Sequence, residues 1–157
     1  MKILILCTGN SCRSIIAEAL FNYLGQGRVI ALSAGSKPTG QVHPRSLALL
    51  KSKGMSTAHL RSKSWDEFVL TPLDIVITVC DSAAGEACPV FTGAPVKAHW
   101  GLPDPAHARG TEAEINAAFE SVYKTLEARI KAFLKLPTGL DKKELSDQLR
   151  TIGETIV

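Results

Sequence analysis

Ile3-Leu4-Ile5-Leu6 is an uninterrupted apolar run of the length of a buried strand. Cys7-Thr8-Gly9-Asn10-Ser11-Cys12-Arg13-Ser14 follows, and then Ile15, Ile16, Ala19, Leu20, Tyr23 and Leu24 recur at helical spacing. The pattern predicts strand, tight loop, helix. A second strand is expected over Arg28-Val29-Ile30-Ala31-Leu32-Ser33, followed by a loop rich in Gly and Pro from Ala34 to Gly40. Pro44 opens a helix through Leu47, Leu49 and Leu50 that Gly54 ends. Ser64 and Glu67 have capping-box spacing and predict a short helix. Asp74-Ile75-Val76-Ile77-Thr78-Val79 is the clearest strand, and so continuous a run suits a central parallel strand covered on both faces. Val96 to Trp100 predicts a fourth. Thr111 with Glu114 caps a helix carrying Ile115, Phe119, Val122, Tyr123, Leu126, Ile130, Phe133 and Leu134, ended by Pro137 and Gly139. Asp141 with Glu144 starts a last helix with Leu145, Leu149 and Ile152, whose apolar face suits either the body or a partner.

Strands alternating with helices predict a single α/β domain, a four-stranded parallel sheet with helices on both faces. The domain is expected over residues 1–136, with a C-terminal helical extension over 137–157. In such sheets ligands sit beyond the carboxyl ends of the strands. Cys7 and Cys80 each end an expected strand, so both fall at that edge.

At 157 residues the chain suits one domain with enough core to fold unaided. A net charge of +3 is too small to indicate a nucleic-acid partner. No apolar run is long enough for a membrane span or a signal peptide. A cytoplasmic protein is expected, and a monomer. Four cysteines in that setting point to reactive thiols or metal ligands more than to structural disulfides. Neither Cys7/Cys12 nor Cys80/Cys88 has the Cys-x2-Cys spacing of a zinc ribbon, and no metal is expected.

The chemistry centres on residues 7–14. Between a strand and a helix, backbone N–H groups and the helix N-terminus converge on a small volume and cradle a tetrahedral oxyanion. The expected oxyanion-binding residues are Thr8, Gly9, Asn10, Ser11, Cys12, Arg13 and Ser14. The helix dipole and Arg13 are expected to favour the Cys7 thiolate. Arg13 can fork two hydrogen bonds onto the anion. Asn10 tolerates left-handed dihedrals, and Ser14 is expected to cap the helix or to donate to the Cys7 sulfur. Cys80-Asp81-Ser82-Ala83-Ala84-Gly85-Glu86-Ala87-Cys88-Pro89 is a second constellation, its small and polar residues suiting a short helix or a loop. In His99-Trp100-Gly101-Leu102-Pro103-Asp104-Pro105, Asp104 is a turn residue by itself and, beside the cysteine loop, a general acid. His99 is expected to be packed or at the surface.

Together these three stretches resemble the arsenate reductases built on the low-molecular-weight protein tyrosine phosphatase fold. Residues 7–14 match the phosphate-binding loop, Val79-Cys80 and Ala87-Cys88-Pro89 the two resolving cysteines, and residues 99–105 the general-acid loop. Ala106 and His107 stand where the phosphatase relatives usually carry aromatic residues. The resemblance implies that Cys7 attacks arsenate held by the loop and Arg13 while Asp104 protonates the leaving hydroxide. Cys80 then attacks Cys7, Cys88 attacks Cys80, and an external reductant, thioredoxin or glutathione with glutaredoxin, reduces the final disulfide. No bound cofactor is implied. A helix over residues 80–88 would hold the two cysteines about 12 Å apart, beyond disulfide reach, so that bond requires the segment to unwind. Some relatives hold potassium through positions matching Asn10, Glu18 and Ser33, but the fourth, acidic position is Ser62 here. Cys12 matches a loop cysteine not needed for turnover. The runner-up function is a phosphatase acting on phosphate monoesters; a third is a non-enzymatic oxyanion or metal sensor.

Overall fold

In the computed structural model, residues 1–85 and 89–157 are described; Cys88 and the residues Glu86 and Ala87 before it lie outside the described residues. Four strands, β1 (Lys2–Leu6), β2 (Ile30–Ala34), β3 (Ile75–Thr78) and β4 (Val96–His99), form one parallel sheet in the order β2-β1-β3-β4. The helices are α1 (Arg13–Gly25), α2 (Pro44–Ser52), α3 (Asp81–Gly85), α4 (Glu112–Leu134) and α5 (Lys142–Thr155).

Side chains alternate across a strand. Ile3, Ile5, Ile75 and Ile77 enter one core with α1, α2, α4 and α5. Leu4, Leu6 and Val76 enter the other, against Leu73, Phe91 and the 3-10 turn Trp65–Phe68. Both faces are therefore dry, which is why β1 and β3 are apolar without interruption. In register, Leu6 pairs with Ala34 on one side and Thr78 on the other, and Thr78 with His99. The strands thus end at one level, and the loops after β1, β3 and β4 share one rim.

Of the four expected caps, two form as reciprocal boxes and two do not. Thr111/Glu114 and Asp141/Glu144 form reciprocal capping boxes at the starts of α4 and α5. Ser64 accepts from the Asp66 N–H and opens a 3-10 turn, while the Glu67 carboxylate is drawn away to Arg61. Ser14 does not cap α1: the cap position is Cys12, without a side-chain bond, and Ser14 lies inside the first turn.

The last helix covers the body. Leu149 and Ile152 are buried, the Trp100 indole N–H donates to the Leu149 carbonyl at 2.9 Å, and Gly153 allows α5 to lie against Trp100. Arg129 of α4 is 2% exposed. Its guanidinium reaches Ile156 O at 2.7 Å, Gly101 O at 3.2 Å and Gly153 O at 3.3 Å. One cation thereby closes the carbonyl end of α5 and ties it to the loop after β4. Among the described residues, no helix is long and apolar enough to cross a membrane.

Candidate active site

Residues 7–14 wrap a loop between β1 and α1. Its carbonyls are held from outside: Lys37 N–H donates to Thr8 O, Thr39 N–H to Gly9 O and His43 N–H to Ser11 O, at 3.0–3.1 Å. The Ser62 hydroxyl adds a bond to Gly9 O at 3.1 Å. Across a trans peptide the next N–H points the opposite way. The N–H groups of Gly9, Asn10 and Cys12 therefore face away from this buttress. That arrangement, with the unpaired first N–H groups of α1, collects backbone donors on the inner side of the loop, a geometry suited to an anion.

Asn10 occupies the left-handed region at φ 46°. Its side chain is buried and fully engaged. Nδ2 donates to Ser14 Oγ at 2.8 Å and to Ser33 Oγ at 3.0 Å, and Oδ1 accepts from Lys63 N at 2.9 Å. Ser33 Oγ in turn donates to Glu18 Oε1 at 2.6 Å. Asn10, Glu18 and Ser33 do converge, but a metal ion does not fit among them. The Lys63 Nζ lies there, 3.5 Å from Glu18 Oε1, 3.4 Å from Ser33 Oγ and 2.8 Å from Arg61 O. Burial pulls the Lys63 pKa down and the Glu18 carboxylate opposes that fall.

Arg13 opens α1 and turns toward the loop after β4. It donates to Leu102 O at 3.0 Å and pairs with Asp104 Oδ2 at 3.4 Å. Its Nε is buried without a hydrogen-bond partner among the described residues. A guanidinium edge withheld from the protein at the mouth of an amide-lined loop suits an oxyanion. Asp104 makes contacts through both carboxylate oxygens. Its Oδ1 accepts from Ala106 N at 3.0 Å and caps the turn Pro105–His107, while Oδ2 faces Arg13.

Cys80, 72 positions from Thr8, comes to the same place. Its Sγ accepts from Thr8 N at 3.4 Å and from Ala83 N at 3.3 Å, and it is hydrogen-bonded to the Cys7 thiol. Here the expectation for Cys7 is corrected. The bond to Cys80 and burial push the Cys7 pKa up, and Arg13 only partly opposes them. Cys80 is pushed down to about 5, chiefly by the hydrogen bond from Cys7 and then by the Thr8 and Ala83 amides, against burial. The two thiols are coupled through this hydrogen bond, which disfavours ionisation of Cys7 and favours that of Cys80, with the Thr8 and Ala83 amides adding to the second effect. Burial also pushes the Cys12 thiol up, which suits an unreactive residue.

Neither the burial of Lys63 nor the Ser62 contact is legible in the sequence, because a Lys in a polar loop has no periodicity to mark it as buried. His99 is not in the site. It bridges Thr78 Oγ1 at 2.7 Å and Asp81 Oδ1 at 2.9 Å, clamping the start of α3 to β4.

A cysteine and an arginine are set around an amide-lined loop at the carboxyl edge of a parallel sheet, the arrangement of a cysteine-based phosphatase-like fold. The chain belongs to the low molecular weight phosphotyrosine protein phosphatase family, whose model matches residues 2–148. Among curated relatives, the arsenate reductase of Halalkalibacterium halodurans is 39% identical over 129 residues, 82% of this chain and 91% of the relative. A solved structure described as an arsenate reductase in the phosphate binding state matches with a TM-score of 0.65 and 27% identity, over 83% of this chain and 96% of that one. The thioredoxin-dependent arsenate reductase of Corynebacterium glutamicum matches with a TM-score of 0.63 and 26% identity, over 85% of this chain and 60% of its own length.

Proposed function

We propose that the protein is a thiol-dependent arsenate reductase that reduces arsenate to arsenite and draws its electrons from a thioredoxin-like dithiol. The observation that carries this reading is the Cys80 sulfur held against Cys7 by two backbone N–H groups. Hydrolysis of a phosphate ester needs Cys7, Arg13 and Asp104 and has no use for a second sulfur on the nucleophile.

Arsenate enters the loop among the amides of residues 8–14, with Arg13 forked onto two of its oxygens. Cys7 attacks arsenic, its proton passing to the Cys80 thiolate, and an S–As bond forms. One arsenic oxygen leaves as water, protonated by Asp104. Cys80 next attacks the Cys7 sulfur, its proton passing to an arsenite oxygen. An S–S bond forms, the S–As bond breaks, and its electron pair stays on arsenic, which goes from the +5 to the +3 state. Two thiols and arsenate become one disulfide, arsenite and water. Phosphate fits the same cradle, but phosphorus does not accept the electron pair, so the second sulfur supplies the selectivity. Cys88 is assigned by its match to the family's last resolving position. It attacks Cys80, frees Cys7, and leaves a Cys80–Cys88 disulfide for the external dithiol. No bound cofactor takes part, and a cytoplasmic location supplies the reductant.

The test is arsenate-dependent NADPH oxidation, coupled through thioredoxin and thioredoxin reductase in one arm and glutathione with glutaredoxin in the other. Multiple turnover in the thioredoxin arm is expected. Hydrolysis of p-nitrophenyl phosphate without arsenate-dependent oxidation in either arm would replace this reading by the phosphatase.

A further inference from the structure

Lys63, a buried cation beside the loop, is left unused by the mechanism. It is 7% exposed, and its carboxylate partner Glu18 is 5% exposed. Buried charges are costly unless paired and hydrogen-bonded. Here the pair is built into a chain of four side chains that ends at the oxyanion loop. Glu18 Oε1 accepts from both Lys63 Nζ and Ser33 Oγ. Having given its only proton to Glu18, Ser33 Oγ is left as an acceptor for Asn10 Nδ2. Asn10, fixed on both its amide atoms, holds the left-handed turn at the centre of residues 7–14.

Glu18 Oε1 is held between the Lys63 ammonium and the Ser33 hydroxyl. Removing the ammonium frees the carboxylate that orients Ser33 and, through Ser33, the Asn10 amide. The main chain of Lys63 acts on the same residue, its N–H on Asn10 Oδ1, while Lys63 O receives the Gly35 N–H.

We infer that Lys63 is a positioning residue for the oxyanion loop, its ammonium serving as a cation built into the chain where a bound monovalent ion would otherwise be needed to orient Glu18, Ser33 and Asn10. The inference rests on residues 7–14 being the oxyanion loop. It adds that this chain requires no added cation and that the requirement can be created by one substitution. Removing the side chain leaves a pocket lined by a carboxylate, a hydroxyl and a carbonyl oxygen, with room for an ammonium ion.

The experiment compares wild type, Lys63→Ala and the double variant Glu18→Gln/Lys63→Ala. It measures phosphate affinity by calorimetry and arsenate turnover, in ammonium chloride or tetramethylammonium chloride at equal ionic strength. Wild type is expected to be indifferent to the salt. Lys63→Ala is expected to bind phosphate about 10-fold more weakly and to turn over at least about 10-fold more slowly, the scale of a misplaced oxyanion donor. Ammonium should restore both saturably; tetramethylammonium, which offers no N–H and does not fit, should not. The double variant, without a buried unpaired charge, should fold, remain impaired and ignore ammonium. Wild-type phosphate affinity in either variant would overturn the inference. So would a folded Lys63→Ala that is impaired but does not respond to ammonium. If Lys63→Ala fails to fold, the double variant decides by its phosphate affinity. Failure of the reductase reading appears separately, as a wild type that binds phosphate and does not reduce arsenate.

Discussion

Gly35 follows β2 at the point where it passes behind the oxyanion loop. A methyl group at that position would stand 2.5 Å from the Cys7 carbonyl oxygen and closer still to that of Thr8. Both neighbours are backbone, so neither can swing aside as a side chain would. To reach 3.0–3.4 Å, the Cys7 carbonyl must retreat by about 0.5–0.9 Å, a displacement on the scale that costs up to about 10²-fold in rate. The peptide plane makes this a movement of the chemistry. The Cys7 carbonyl shares its plane with the Thr8 N–H that holds Cys80, and the Thr8 carbonyl shares its plane with the Gly9 N–H of the cradle. Gly35→Ala is therefore expected to destabilise the fold by about 1–3 kcal/mol, as overpacking does. It should also slow single-turnover arsenite formation by about 10- to 100-fold and raise the Cys80 pKa from about 5. Urea unfolding, rapid-quench arsenite release and thiolate absorbance at 240 nm measure the three effects. A variant that loses stability but reacts within threefold of wild type, with Cys80 unmoved, would refute the coupling between this strand end and the loop.

In the reduced protein, thiolate absorbance is expected to show one group titrating near pH 5, present in Cys7→Ser only at a higher midpoint and absent in Cys80→Ser. An acid with a depressed folded pKa stabilises the fold above its unfolded value, near 9 here, and loses that contribution as pH falls through 5. Stability should accordingly decline from pH 8 to pH 5, at up to about 1.4 kcal/mol per pH unit from this group, and Cys80→Ala should flatten the decline. Asp104→Asn should slow the first chemical step by about 10²- to 10⁴-fold while phosphate affinity persists, and an unchanged rate would leave Asp104 a turn residue. Arg129→Met should lower the unfolding midpoint by several degrees, because it orphans the carbonyls of Gly101, Gly153 and Ile156, and a null effect would remove the proposed tie between α5 and the loop after β4.

Much of this could be read from the chain, for physical reasons that differ by element. β1 and β3 announce themselves because a strand buried on both faces has no polar position. The reciprocal caps at Thr111 and Asp141 are local and survive folding unchanged. Two caps differ where a competing arrangement wins: Arg61 takes the Glu67 carboxylate, and Ser14 lies inside the first turn of α1, accepting from Asn10. Arg129 sits within the apolar face of α4 and was passed over, since three carbonyls from distant segments are what make its burial tolerable. The hydrogen bond between Cys7 and Cys80, and its opposite pull on the two thiols, could not be read from sequence. Arg13 and the helix dipole are local and legible, whereas the amides that hold the Cys80 thiolate are brought there by the pairing of β1 with β3. Lys63 was hidden for the same reason.

The central claim is that Cys80, held against Cys7, takes part in the chemistry. Cys88→Ser tests it most directly: the reduced variant is mixed with excess arsenate, quenched with acid and analysed for arsenite and for disulfide-linked peptides. About one arsenite per protein and a Cys7–Cys80 disulfide in matching amount are expected, with no further turnover when thioredoxin alone is supplied. Arsenite formed without that disulfide, or repeated turnover of the variant with thioredoxin alone, would contradict the relay.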